Sequence, residues 1–418
     1  MVLGLVVAGA VAFVLLHKPG NVSHPKVEFT NPTTTQPPAK PKPVVLDTFQ
    51  WPRYGYDLAR TRYFPNSSSL DPPFRRGWTY RGDSLLEFPP VIDGTTMYVL
   101  NDGGFAIAID KRTGHVIWQT RVGTLAAASP TFAGGRVFVP ALSVNPSAGQ
   151  NPGDGRFAAL SEKTGRILWS RPIAPGTESS PLVLGSVVYF GDQAGTFYAL
   201  RTTDGHELWS YHASGAIKGG PSFADGNVYF GDYAGRAYAL RATDGHRVWA
   251  VTTNGAQLGF GSGQFYATPA IAFGRVYLGN TDGRVYSFAA HTGQLAWATS
   301  TGGYVYASAA VADTPGLGPT VYIGSYDGNF YAFDARSGSI RWSHSAGGKI
   351  SGSSTIVGDV VYYSNLGAKT SAGLDVRTGR QVFSFPEGAF TPVVADPHTV
   401  YLTGYGNLFE LLPRTAHR

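Results

Sequence analysis

No cysteine occurs anywhere in the 418 residues. That absence excludes disulfides, thiolate metal sites, cysteine nucleophiles and a cysteine-linked lipid anchor. Charge is also scarce: Asp, Glu, Lys and Arg make up 14% of the chain, against 13% aromatic residues. So little charge beside so many aromatics excludes a disordered protein. The 54 glycines argue against a helical one. The formal charge of +6 sits mostly in the tails. Residues 1–46 hold four lysines against Glu28, a net of +3, and Arg414 and Arg418 add two more. The body, 47–413, keeps only +1, so no nucleic-acid partner is expected. Arginine outnumbers lysine 24 to 9, a composition that points to a high-GC bacterial genome.

What is present is a repeat. The segment Asp110-Lys-Arg-Thr-Gly114-His-Val-Ile-Trp118 returns as Ser161 to Trp169, Arg201 to Trp209, Arg241 to Trp249, Ala289 to Trp297, Asp334 to Trp342 and Asp375 to Phe383. Its glycines are 51, 40, 40, 48, 45 and 41 residues apart. A glycine four places before an aromatic, between alternating apolar runs, reads as a hairpin turn that needs positive φ. A second hairpin precedes each, as in Val188-Tyr189-Phe190-Gly191-Asp192 leading to Tyr198-Ala199-Leu200. Before that stands a strand opening on small residues, as in Ser179-Ser180-Pro181. Four short strands in about 40 residues is the period of a propeller blade. Seven complete units run from Glu87 to Pro386, and an eighth has three strands between Phe390 and Leu412. The segment Arg75 to Tyr80, carrying Trp78, is expected to supply the missing outer strand and close the ring. The fold class is therefore all-β, an eight-bladed β-propeller over residues 74–413.

The repeated Ala-Leu-x-x-x-Thr/Asp-Gly-x-x-x-Trp resembles that of the pyrroloquinoline-quinone (PQQ)-like propellers, the quinoprotein-like repeat family that includes the outer-membrane assembly factor BamB. Trp51 to Tyr63 resembles the segment preceding the propeller in quinoprotein alcohol dehydrogenases. The resemblance implies that Trp78, Trp118, Trp169, Trp209, Trp249, Trp297 and Trp342 are structural docking residues packed between adjacent blades. Phe383 breaks the pattern, so a looser joint is expected after blade seven.

The ends read differently. Val2 to Leu16 is an unbroken apolar run of fifteen residues, about 22 Å as a helix against a hydrocarbon core of about 30 Å. No lysine or arginine precedes it, which points to a start further upstream. Residues 1–17 are read as an uncleaved membrane anchor, with a removed signal segment as the alternative. The propeller is then expected on the extracytoplasmic side of the membrane, or secreted if the segment is cleaved. Residues 18–46 contain seven prolines from Pro19 to Pro43 and are expected to be an extended linker that holds the head off the membrane. Residues 47–73 are expected to pack on the propeller, and 414–418 form a basic tail.

Both long insertions, Ala141 to Arg156 and Thr252 to Gln264, fall on the face shared by the inter-blade loops. Aligning the first strands gives one channel position per blade: Glu87, Ala127, Glu178, Lys218, Tyr266, Tyr306, Ser351 and Ala389. Glu87, Glu178, Lys218, Tyr266, Tyr306 and Ser351 are the candidates for binding a ligand or partner at the channel mouth. Their competing interpretation is a salt bridge and two tyrosines plugging the channel. Asp192, Asp232, Asn280 and Ser325 recur at one turn position and read as turn caps. His115, His206 and His246 follow turn glycines and are expected to face solvent.

No catalytic set and no metal site can be assigned, and no cofactor is expected. PQQ with calcium belongs only to the alternative of a PQQ-dependent oxidoreductase acting on alcohols or sugars. The reading favoured is a noncatalytic protein-binding or scaffolding module of the cell envelope, with cell-envelope proteins as partners. A ligand-sensing propeller is the remaining alternative.

Overall fold

A computed structural model describes residues 21–31, 47–65, 70–144, 155–253 and 263–414. These form eight sheets, each built on four antiparallel strands that are consecutive in the chain in seven of them, the eight-bladed β-propeller expected from the repeat; three sheets carry a fifth strand from the N-terminal segments. Blade 3 is representative: Leu182–Leu184, Val187–Gly191, Thr196–Arg201 and Glu207–His212, from the channel outward. The two middle strands are covered on both faces by neighbouring blades, so they are nearly all apolar or aromatic. The outer strand alternates, since one of its faces meets water.

Each outer-strand indole bonds across to the next blade. Trp78 Nε1 donates to Lys111 O at 2.8 Å, Trp209 to Ala242 O at 3.2 Å, and Trp297 to Ala335 O at 3.0 Å. Trp118, Trp169, Trp249 and Trp342 do the same to Glu162, Thr202, Ala290 and Val376. The turn glycine of the receiving blade lies flat on the indole. Gly338 has φ of +74°, and a Cβ there would stand 2.6 Å from Trp297 Cδ2, so backbone conformation and contact both require glycine.

Blade 8 is built from both chain ends. Val393–Ala395, Val400–Thr403 and Asn407–Pro413 are completed by Phe74–Arg81, with Asn407 opposite Arg81 and Pro413 opposite Phe74. This closure explains the exception at Phe383. The third and outer strands of blade 8 are not joined by a turn, so there is no turn glycine or carbonyl to receive an indole. Phe383 packs edge-on against Phe74 at 5.5 Å and Tyr362 at 5.7 Å.

The segment 50–64 runs around one end of the channel. Gln50–Trp51 pairs with blade 1 and Tyr63–Phe64 with blade 7. Between them the carbonyls of Pro52, Leu58, Ala59 and Thr61 accept from Phe132, Phe223, Ile271 and Val311, on the inner strands of blades 2, 4, 5 and 6. Every one of these bonds goes to an inner-strand amide that would otherwise face the open channel.

The linker expectation needs correction for residues 21–31, which are not a free spacer. Val22–Ser23 adds a fifth strand to the outer edge of blade 5, opposite Ala298 and Trp297. Phe29 stacks on Phe273 at 5.6 Å, and Arg336 Nη2 donates to Asn31 at 2.7 Å. Blade 5 accepts this strand because its outer strand reads Leu295-Ala-Trp-Ala, with small residues on either side of the tryptophan. The equivalent position before the tryptophan in blades 1 to 4 carries an exposed Ile117, Leu168, Leu208 or Val248. Residues 1–17 and 32–46 lie outside the described residues, as do 145–154 and 254–262, which hold most of the two insertions.

Candidate functional site

The six channel candidates converge. Glu87, Glu178, Lys218, Tyr266, Tyr306 and Ser351 all line one cavity of about 220 Å³. Ala127 and Ala389 are buried and do not line it, and Phe390 takes the latter's place in the wall. The convergence follows from register, because each residue is three places before the first-strand proline position of its blade.

The wall has a charged side and an aromatic side. Lys218 Nζ lies 2.8 Å from Glu178 Oε1, which also accepts from Gln193 Nε2 at 3.2 Å. The same ammonium sits 4.9 Å from the ring centre of Tyr233 and 5.9 Å from that of Tyr266. Tyr266 meets Tyr306 edge-on at 5.8 Å, and Tyr306 meets Tyr326 at 4.8 Å. Tyr326 donates to Ser351 Oγ at 3.3 Å. Both competing interpretations of the ring are thus present in part: the salt bridge and the paired tyrosines exist, yet they leave a cavity.

Sequence reasoning missed the floor. Below the ring runs a belt of hydroxyls two residues further along six of the eight inner loops, Pro89 and Gly220 being the exceptions. Thr268 N donates to Ser308 Oγ, and Ser308 N to Ser353 Oγ, both at 2.9 Å. Gly220 N donates to Thr268 Oγ1 at 2.9 Å, and Ser129 N to Ser180 Oγ at 3.0 Å. The small residues opening each first strand were the visible sign of this belt. Tyr54, from segment 50–64, closes the floor and donates to Ser353 Oγ at 2.5 Å. Arg62 lies over its ring at 4.7 Å. Burial alone would raise the Tyr54 phenol, but the Arg62 charge and the hydroxyls of Ser353, Ser308 and Thr391 hold it below its ordinary pKa.

Arg60 and Arg62 are fully buried beneath this floor. Arg60 donates to the carbonyls of Pro221 at 3.0 Å, Pro181 at 2.8 Å and Ser180 at 3.3 Å, and to that of Tyr54. Arg62 donates to Arg60 O and Ala309 O. Among the described residues neither forms an ion pair with a carboxylate, and burial, opposed in part by Asp57, holds both guanidiniums below their usual pKa, Arg60 well below.

Glu87 is the unbalanced group of the wall. Among the described residues it makes no hydrogen bond or ion pair. Burial, with help from Asp102 and Glu178, raises its carboxyl to about 7, while Lys218 acts in the opposite sense. Asp102, in the same blade, is pushed by burial to about 6, and Glu162, by burial and Asp93, to about 7. A carboxyl raised in the folded state holds a proton that the unfolded chain releases. Its stabilisation is complete below the unfolded pKa and is lost as pH rises through the folded one. The melting midpoint should therefore fall between about pH 5.5 and about pH 8, with Glu87 contributing on the order of 2 kcal/mol. Thermal melts across that window check this, and Glu87→Gln should flatten part of the slope. A midpoint that rises with pH would contradict it.

The remaining sequence candidates fall into structural roles. Asp192 Oδ1 accepts from Ala194 N and Thr196 N, and Asp232 Oδ1 from Arg236 N, as turn caps do. Asn280 and Ser325 accept from Asp282 N and Asp327 N in the same way. His115, His206 and His246 are exposed. Among the described residues no three His, Asp or Glu stand close enough to share a metal ion.

A family model described as outer membrane protein assembly factor BamB, built on PQQ-like repeats, matches residues 68–216, 153–385 and 307–417. The chain belongs to this family. The solved BamB of Moraxella catarrhalis is 17% identical with a TM-score of 0.64, covering 83% of this chain and 100% of that one. The quinohemoprotein alcohol dehydrogenase of Comamonas testosteroni is 14% identical with a TM-score of 0.70, over 88% and 81%. A europium-containing methanol dehydrogenase is 15% identical with a TM-score of 0.70, over 87% and 98%. At such identities the likeness is one of fold. Tetrathionate hydrolase of Acidithiobacillus ferrooxidans is 30% identical over 123 residues, which span 26% of this BamB-family chain and 24% of the hydrolase.

Proposed function

We propose that this chain is an exported, membrane-tethered propeller that binds partner proteins of the cell envelope without catalysing a reaction. One observation carries the reading. The face at the cavity mouth presents Tyr304, 54% exposed, in the loop between blades 5 and 6 and Tyr405, 51% exposed, in a turn of blade 8. Tyr304 meets Tyr306 edge-on at 5.9 Å, so the aromatic wall of the cavity continues outward onto the rim. Large exposed aromatics on loops of one face are what protein interfaces use as anchors. Both insertions leave the propeller on this face as well.

Export rests on the apolar run Val2 to Leu16. No helix among the described residues is long and apolar enough to cross a membrane, and that run lies outside them. With Val22 already docked on blade 5, an anchor ending near Leu16 would hold the rim of that blade close to the bilayer. The dehydrogenase alternative is supported by the likeness in fold and by the Trp51 to Tyr63 segment. The cavity supports it poorly. An acidic quinone would face Glu87 and Glu178, while the one lysine of the wall is already paired. Among the described residues no three carboxylates gather to hold a calcium ion, so the residues present do not fit PQQ with calcium.

The test is site-specific photo-crosslinking of the full chain in its native envelope. A crosslinker at Tyr304 should give discrete protein adducts, and one at Leu208, exposed on the outer edge of blade 3, should not. Adducts from Leu208 alone, or from neither site, would overturn the assignment of the binding face.

A further inference from the structure

Lys218 is neutralised by Glu178 and already rests against the rings of Tyr233 and Tyr266. This wall is thus built to hold a cation among carboxylate oxygen and ring faces. Among the described residues Glu87 has no ion-pair partner, Lys218 acting on it only from its place on Glu178, and Phe88, Tyr306 and Tyr326 line the same cavity. A carboxylate without a partner, enclosed with aromatic rings, stabilises an ammonium group twice over: through its charge and through the ring quadrupoles. We infer that the cavity binds an organic cation, an alkyl- or arylammonium whose charge is set against Glu87 and whose apolar body lies against the tyrosine rings. The volume, about 220 Å³, is smaller than the roughly 300–1,000 Å³ of drug-sized sites, so the body is small. The site lies inside the channel, behind the loop rim proposed for partner binding and touching it through Tyr306 and Tyr304.

The charge balance favours a cation over an anion. The groups acting on Glu87 are Asp102 from its own blade and Glu178 and Lys218 from blades 3 and 4. Tyr266, from blade 5, interacts with both Glu87 and Glu178. Arg60 and Arg62 carry positive charge under the floor, but neither lines the cavity, and the Tyr54 ring lies against Arg62. Lys349 rests over the ring of Tyr326 at 5.5 Å without lining the cavity, so among the described residues an anion inside it would meet carboxylates on the charged side and only the paired Lys218.

The test is isothermal titration of the full chain with benzylamine, benzyl alcohol and benzoate, three probes of one shape and different charge. Benzylamine should saturate the site, with the alcohol and benzoate at least about tenfold weaker. Binding needs the ionised carboxyl, which titrates at about 7, so benzylamine should bind about thirtyfold more weakly at about pH 5.5 than at about pH 8. Glu87→Gln should remove both the tight binding and its pH dependence. Asp102→Asn removes a like charge acting on Glu87, so it should keep binding and move the pH midpoint downward. That second variant decides the matter if the first fails to fold. Equal binding of benzyl alcohol, tighter binding of benzoate, no saturation by any probe, or an unaltered pH midpoint in Asp102→Asn would each overturn the inference.

Discussion

Replacing Trp297 by alanine is expected to destabilise the propeller by about 3–5 kcal/mol, the range for deleting a buried aromatic. Trp297 is fully buried, and it joins blades 5 and 6 in two ways, donating to Ala335 O and carrying Gly338 on its face. It also stands opposite Ser23 of the added strand, which should loosen with it. Urea denaturation measures the loss. The same change at the half-buried Trp118 should cost less, because part of its surface already meets water. A cost under about 1 kcal/mol at Trp297 would contradict the view that indoles fasten the blades. Restoring the repeat with Phe383→Trp should not stabilise, since blade 8 offers no turn carbonyl. Extra ring volume against Phe74 should instead cost about 1–3 kcal/mol.

Arg60→Met is the second large effect. It removes the donor to four carbonyls gathered from segment 50–64 and blades 3 and 4. Opposing this, the buried cation itself carries a desolvation cost that methionine abolishes. Pro181 O keeps the Thr131 hydroxyl, but the carbonyls of Tyr54, Ser180 and Pro221, left without that donor in a dry interior, cost about 1–3 kcal/mol each, and three of them outweigh one relieved charge. A net loss of about 2–4 kcal/mol is expected. Amide exchange should localise it: the inner-strand amides of Phe223 and Ile271, bonded to Leu58 and Ala59, should lose protection while outer strands keep theirs. Uniform change in exchange, or none, would contradict the role of segment 50–64 as a seal.

What the sequence reveals here is set by periodicity. The tryptophan repeat, the four-strand unit and the closing strand Arg75 to Tyr80 are all visible because each blade solves the same packing problem with the same residues. The channel ring is legible for the same reason. Position in the repeat brings Glu87, Glu178, Lys218, Tyr266, Tyr306 and Ser351 to one cavity although they span 265 residues of chain. The floor is not periodic. Arg60 and Arg62 bond to backbone carbonyls, which every sequence possesses, so no partner residue signals them. Residues 21–31 were masked by their proline- and threonine-rich surroundings. Their docking site was written instead into blade 5, in Ala296 and Ala298. Phe383 looked like a weakened joint and is a consequence of ring closure.

The central proposal is that this BamB-family propeller binds no quinone despite its likeness in fold to quinoprotein dehydrogenases. Titrating the full chain with PQQ and calcium, followed by thermal melting and tryptophan fluorescence, tests it most directly. The account predicts no shift in the melting midpoint at excess PQQ and millimolar calcium, because the described residues gather no carboxylate cluster to hold the calcium and the wall's Lys218 is already paired with Glu178. Saturable binding with a clear rise in the midpoint would contradict it, since a ligand that selects the folded state must stabilise that state.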